Sequence, residues 1–396
     1  MISTNYIKKS RLSLVGLIIF STIFDMGGGF GIKYFSYGIS LVYLIFNPQV
    51  YRSMSRGGFY LFAVFFVLPL LSLFIGAFRG GDLALGISQI TPFIPCLITW
   101  LLIKDNTDAS SKCLLWFFNG LLYLSYLIIL LFIVGEIFRG TSFISNIYSL
   151  LNESSQGFFG LKQVGGFQYP GVYFKATLYI VGAFTFFLFK REFSKVLVCI
   201  TAIVFSFSKS AMVVSLLVML LYFLSSIKIN KGRVFISLHT FIVSLFIISL
   251  GFLVYFKYDI FFDNFFDTIN AALTGNAGTS LVRIGHFKSI VNLFKENPSF
   301  FFFGQGLGTG FYSLGEQAIV SNIELDHLES IRKYGAIWFV ILVVTILYLI
   351  DRLIKDNSRV LALILTVYFI VLGTNPLLIN PLFFIFLILI YQKCIK

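Results

Sequence analysis

Asp326 and His327 stand side by side just ahead of a long apolar run, in Asp326-His-Leu-Glu-Ser-Ile-Arg-Lys-Tyr-Gly335. A carboxylate beside an imidazole can take up or release a proton near neutral pH. Either group is costly to place in lipid, so the pair should face a polar cavity or a partner, and a structural hydrogen bond between loop and bundle would account for it equally well. Lys209, in Ser206-Phe-Ser-Lys-Ser210, falls between two apolar blocks joined by almost no loop. A cation in that position binds an anion or snorkels to the membrane surface. Lys175, in Tyr169-Pro-Gly-Val-Tyr-Phe-Lys175, and Arg79, in Phe78-Arg-Gly-Gly-Asp82, lie at the ends of other apolar blocks, and Arg283 lies near the start of a helical pattern. Several cations at one level suit a ligand with multiple negative charges, such as a lipid-linked diphosphate that must be neutralised as it leaves.

These residues need elements to hold them. Arg283 and His286, three apart, share a face of a helix expected over Ser280–Glu296 and halted at Pro298. The run Gly304-Gln-Gly-Leu-Gly-Thr-Gly310 permits either a nest of N–H groups that receives anionic oxygens or a tight re-entrant turn. It lacks the Gly-Lys-Ser/Thr ending of a nucleotide-binding loop. Asp259, Asp263 and Asp267 recur every four residues among aromatics, as on an interfacial amphipathic helix. They could hold a divalent cation, or simply face water. Glu329 and Lys333 form an i, i+4 pair that needs no functional role, and Glu136 and His239 read as structural.

The composition sets all of this in a bilayer. Of 396 residues, 58% are hydrophobic and 12% charged, with 50 phenylalanines, and the apolar residues come in long blocks. Soluble domains carry about a quarter charged residues, so the fold expected is an all-α polytopic membrane protein of about twelve spans. With the N-terminus in the cytoplasm, about 18 of the 30 Lys and Arg residues and about five acidic residues fall in short cytoplasmic connectors, as the positive-inside rule expects. That placement accounts for the whole net charge of +13, and a nucleic-acid partner has nothing left to explain. The chain is expected to be a single integral membrane domain, residues 1–396, with two external segments, 139–171 and a larger, folded one at 257–335. Both termini are expected in the cytoplasm. No cleavable leader is apparent, and the short internal connectors leave no room for a nucleotide-driven motor. Cys96, Cys113, Cys199 and Cys394 lie in or beside apolar stretches without metal-like spacing, as packing residues.

Four features together resemble the bacterial O-antigen polymerases (Wzy-type) and the related O-antigen ligases: Phe207-Ser-Lys-Ser, Arg283 near a helix start in the large external loop, Pro298 followed by Phe-Gly-Gln-Gly-Leu-Gly, and Asp326-His-Leu running into Tyr-Gly-Ala-Ile. The resemblance covers about residues 195–339, and the first half of the chain matches in topology only. Lys209 stands where the family commonly has arginine, which keeps the charge and loses the bidentate fork. Leu328 stands where the ligases often have asparagine, which favours polymerase. The resemblance implies a glycosyltransferase of the inner membrane with its active site facing the periplasm, a glycosyltransferase C-like fold, and no cofactor or required metal. It implies transfer of a growing undecaprenyl-diphosphate-linked glycan to a lipid-linked repeat unit, with a polysaccharide chain-length regulator as a further partner. Arg283 and Lys209, assisted by Lys175 and Arg79, would hold the diphosphate, and His327, oriented by Asp326, would serve the acceptor hydroxyl. Tyr169, Tyr173 and Tyr312 would stack on sugars, with Gly306 and Gly308 lining the glycan path. A ligase would differ only in acceptor. A lipid-linked oligosaccharide flippase would have short loops on both faces.

Overall fold

The computed structural model describes residues 2–48, 56–104, 107–164, 167–226, 228–230, 233–235, 278–373 and 377–394. Apart from Val234 and Phe235, the expected span over 234–256, the Asp259/Asp263/Asp267 helix and His239 lie outside the described residues. The chain is mostly helical. Among the described residues five helical segments are long and apolar enough to cross a membrane: Gly57–Phe78, Leu83–Ile103, Asp108–Ile137, Lys209–Ser226 and Asp326–Lys355. The structure divides into two compact units, the first formed by Met1–Leu124, Glu153–Gln156 and Val282–Lys396, the second by Ser125–Asn152 and Gly157–Leu281.

The first unit contains α1 (Ile2–Phe24), α2 (Ile32–Phe46), α3 (Arg56–Phe62), a π-helical turn (Ala63–Val67), α4 (Leu68–Phe78), α5 (Leu83–Ile90), α6 (Phe93–Ile103) and the start of α7 (Thr107–Ile137). Its C-terminal part contains α12 (Gly278–Glu296), α13 (Pro298–Phe303), the hairpin β5 (Phe311–Ser313) with β6 (Ala318–Val320), α14 (Asp326–Lys355), α15 (Arg359–Gly373) and α16 (Pro381–Cys394). α16 is apolar on every side and buried from Pro381 to Gln392, the pattern of a central helix. Phe384 stacks on Phe93 at 4.7 Å between ring centroids and meets Phe65 edge-on at 5.3 Å. At the end of α1, Asp25 is fully buried and accepts hydrogen bonds from Phe30 N, Lys33 N and Gln156 Nε2, so its charge is satisfied by donors rather than by water.

The second unit holds the end of α7, α8 (Ser142–Glu153), the hairpin β1 (Gly157–Val164) with β2 (Phe167–Phe174), a 3₁₀ turn (Lys175–Tyr179), α9 (Ile180–Lys190), α10 (Phe193–Phe205), α11 (Lys209–Ser226) and the short pair β3 (Lys228–Asn230) and β4 (Arg233–Phe235). α9 is its core, buried almost continuously from Ile180 to Leu188. Asn152 docks the hairpin by accepting from Phe159 N (2.9 Å) and donating to Phe159 O (2.8 Å), as a neighbouring strand would.

The predominance of helices agrees with the expected all-α membrane fold, and three short two-stranded antiparallel hairpins accompany them among the described residues. One expectation is corrected. The apolar block expected as a span from Val172 begins as the last part of β2, and its helix starts only at Ile180. The cause lies in the partner strand: Gly157–Val164 pairs residue by residue with Phe167–Phe174 and satisfies the backbone there before a helix can. The helix expected over Ser280–Glu296 is present as α12. Pro298, rather than only ending a helix, supplies the first turn of α13, where its missing N–H costs nothing.

Candidate functional site

The first turns of α14 concentrate ionisable groups. Asp326, Glu329, Arg332 and Lys333 are all buried, two of each sign. The acidic pair occupies the first turn, where the helix N-terminus favours negative charge. Arg332, fully buried, donates from Nε and Nη2 to the two Glu329 oxygens (2.8 and 2.6 Å), from Nη1 to Gln305 Oε1 (2.6 Å) and from Nη2 to Ser321 O (3.0 Å). Its guanidinium lies 4.8 Å from the Phe311 ring centre. Lys333 Nζ is 3.0 Å from Glu329 Oε1 and also donates to Asn322 Oδ1. The Glu329–Lys333 pair therefore belongs to a buried network rather than to a solvated helix face.

Asp326 and His327 point in different directions, as neighbours about 100° apart on a helix must. The Asp326 carboxylate accepts from Leu378 N and Ile379 N, tying the helix start to the chain ahead of α16. His327 Nε2 is 3.0 Å from Phe369 O of α15, and its ring packs at 4.6 Å from Phe369 and 5.6 Å from Phe339. Asp326 thus does not orient His327; the Phe369 carbonyl does. A carbonyl only accepts, so the neutral ring carries its proton on Nε2 and keeps a lone pair on Nδ1.

The glycine run forms the tight turn and not the anion nest. Gln305 N donates to Arg332 O (2.5 Å), Gly306 N to Lys333 O (3.2 Å), Leu307 N to Ser72 O (3.0 Å) and Gly308 N to Gln89 Oε1 (2.9 Å), so these four N–H groups are occupied by protein. Gly306 has φ 99°, and a side chain there would meet the backbone of Gly76. Gly308 faces the Asp82 backbone in the same way. Both residues serve close packing of the loop on α4 and α5. Arg79 joins this packing: Nη1 donates to Gly304 O (2.5 Å) and the guanidinium lies 4.3 Å from the Phe300 ring centre.

On α12, Arg283 donates from Nε (3.0 Å) and Nη2 (2.7 Å) to Glu324 Oε2, with both side chains partly exposed. His286 is buried, with Nδ1 2.7 Å from Ser313 Oγ and Nε2 3.4 Å from Glu316 Oε1. The two residues brace α12 against the segment that includes β5 and β6. Tyr312 is exposed on β5 beside a hollow shared with Asn292 and Glu296.

In the second unit, Lys175 opens the 3₁₀ turn half-buried and Lys209 is the exposed first residue of α11. Tyr169 lies on β2 with its ring 6.4 Å from Phe207, and Tyr173 lies 6.2 Å from Phe158. Among the described residues no ion pair joins Lys175 or Lys209 to a carboxylate. The sequence reading passed over Arg332 and Lys162. Arg332 was detectable as the i+3 partner of Glu329, whereas Lys162 gave no signal without knowledge of the β1–β2 register. The chain matches no protein-family model, no curated protein and no solved structure.

Proposed function

We propose that the chain is a bacterial inner-membrane glycosyltransferase of the O-antigen polymerase kind. In this reading about twelve spans place both termini in the cytoplasm and the segments 139–171 and 257–335 on the periplasmic side. The growing glycan on undecaprenyl diphosphate is the donor and a single lipid-linked repeat unit is the acceptor, with a chain-length regulator as partner. The observation that carries the reading is the pair of lysines, Lys175 and Lys209, held at the ends of apolar segments without an acidic partner among the described residues. Cations at the ends of apolar segments suit an anionic lipid headgroup. The resemblance in Phe207-Ser-Lys-Ser and in Asp326-His-Leu adds to it.

In the reaction an acceptor hydroxyl attacks the anomeric carbon of the donor, and a C–O bond forms. The bond from that carbon to the diphosphate breaks, and the diphosphate leaves with the electron pair, stabilised by Lys175 and Lys209. The hydroxyl proton passes to His327 at Nδ1. Arg283 already shares its fork with Glu324, so its part is to hold α12.

The test is the electrophoretic ladder of surface polysaccharide from cells lacking the chromosomal copy. Wild type is expected to restore a long ladder. Lys209→Ala, Lys175→Ala and His327→Ala at matched membrane level are each expected to cut polymer about tenfold and shift it toward one repeat unit, about 1.4 kcal/mol of lost transition-state binding. Long polymer accumulating on undecaprenyl diphosphate beside bare anchor lipid would identify a ligase instead. Normal ladders from both lysine variants would remove the diphosphate assignment, and a normal ladder from His327→Ala would remove the base.

A further inference from the structure

We infer that Lys162 on β1 and Lys209 at the start of α11 form one seat for a phosphate-class anion, and that Gly171 is glycine so that Lys162 can reach it. The register of the hairpin sets Lys162 opposite Tyr169, with Gly171 its diagonal neighbour. The Lys162 stem lies flat over Gly171: a Cβ at 171 would come within 2.7–2.9 Å of Cγ, Cδ and Cε. Guided this way, Nζ reaches 5.8 Å from the centre of the Phe207 ring, which also packs against Tyr169. Phe207 stands two residues before Lys209, at φ 53°, a conformation that a bulky side chain adopts only where its surroundings require it.

Both lysines thus meet at Phe207: Lys162 Nζ lies over its ring and Lys209 follows it by two residues. Among the described residues no carboxylate forms an ion pair with either, and Lys162 loses solvent as well. Its pKa is lowered first by burial and then by the charge of Lys209. A cation–π contact of this length offsets little of that cost. A dianion between the two nitrogens would reverse the sign of the interaction, since each charge that now repels would attract it. Lysine offers three rotatable donors around a point charge, which suits the tetrahedral oxygens of a phosphate ester better than a planar carboxylate. Naming the ligand as a lipid diphosphate rests on the function proposed above; the seat itself rests on the two lysines and their surroundings.

The test uses the full chain in phosphatidylcholine nanodiscs. Undecaprenyl diphosphate and inorganic pyrophosphate are titrated in turn, and a third preparation carries phosphatidylglycerol alone. Readouts are the Kd of each probe and the acylation rate of individual lysines by mass spectrometry. Undecaprenyl diphosphate is expected to slow acylation of Lys162 and Lys209 together. Its Kd is expected to rise about tenfold in Lys162→Ala and in Gly171→Ala, which keeps the lysine and displaces its stem, while Lys162→Arg stays near wild type. Equal protection by phosphatidylglycerol would support the seat and assign it to bilayer headgroups. An unchanged Kd for every probe in both Lys162→Ala and Gly171→Ala would overturn it, whatever the ladders show. Conversely, weakened binding in these variants with no polymer from wild type would leave the seat standing and remove the polymerase reading.

Discussion

Arg332→Met should lower the stability of the first unit by about 3–5 kcal/mol, the cost of stranding a buried charge by removing its partner. The arginine is fully buried and its fork holds both Glu329 oxygens, while Nη1 carries Gln305 and Nη2 the Ser321 carbonyl. Methionine fills much of the volume but leaves Glu329 with only Lys333, and leaves Gln305 Oε1 without its donor. Arg332→Lys should fall in between, because an ammonium restores charge and not the planar fork. The double variant Arg332→Met/Glu329→Gln should recover part of the loss, since it removes the stranded carboxylate as well. The measurement is the unfolding midpoint of the purified protein in detergent with the double-variant cycle completed. A single-variant loss below about 1 kcal/mol would show that the network is solvated rather than buried.

Gly306→Ala should have an effect at least as large. The added methyl would enter the backbone of Gly76 on α4, and the residue would have to keep φ 99° with a Cβ attached. The neighbour cannot yield, because the surface met is the main chain of Ile75 and Gly76, and the loop is pinned there by Leu307 N on Ser72 O and Gly308 N on Gln89 Oε1. The reciprocal change, Gly76→Ala, meets Leu307 from the other side. Each should cost more than about 4 kcal/mol and yield little monodisperse protein. Gly38→Ala is the control: on the exposed face of α2 nothing lies within 4 Å of the new methyl, and the change should be stabilising by about 0.5–1 kcal/mol. Equal recovery of all three variants by size-exclusion chromatography would contradict the interlock.

The contrast shows what the sequence could reveal. Helices carried by local apolar runs were legible: α2, α7, α11, α15 and α12 with its stop at Pro298 lie where hydrophobicity and capping signals place them. The hairpin Gly157–Phe174 was not, because Val172, Tyr173 and Phe174 read as the start of an apolar helix while the strand they pair with lies outside the block. The glycine run announced its backbone freedom but not its purpose. Its partners, Ser72 and Gln89, lie more than two hundred residues away, and no spacing rule connects them. At Asp326 and His327 the residue types were informative and the pairing was not. Adjacent side chains on a helix diverge, so Phe369 and Leu378, from two later segments, decide what each group touches.

The break in α14 has a consequence for assembly during synthesis. At Gly335 the backbone leaves helical geometry (φ 88°, ψ 155°), and the carbonyls of Arg332 and Lys333 just before it accept from Gln305 N and Gly306 N, while Ser72 Oγ reaches Lys333 O across 261 positions of sequence. An early stretch of chain, α4, thus meets two late ones, around Gln305 and around Lys333, at one point. As the ribosome proceeds from the N-terminus, α4 must wait with its glycine face uncovered until residues 304–335 emerge. Chains ending before Gly304 would leave Gly76 without the Gly306–Leu307 backbone that covers it in the finished protein.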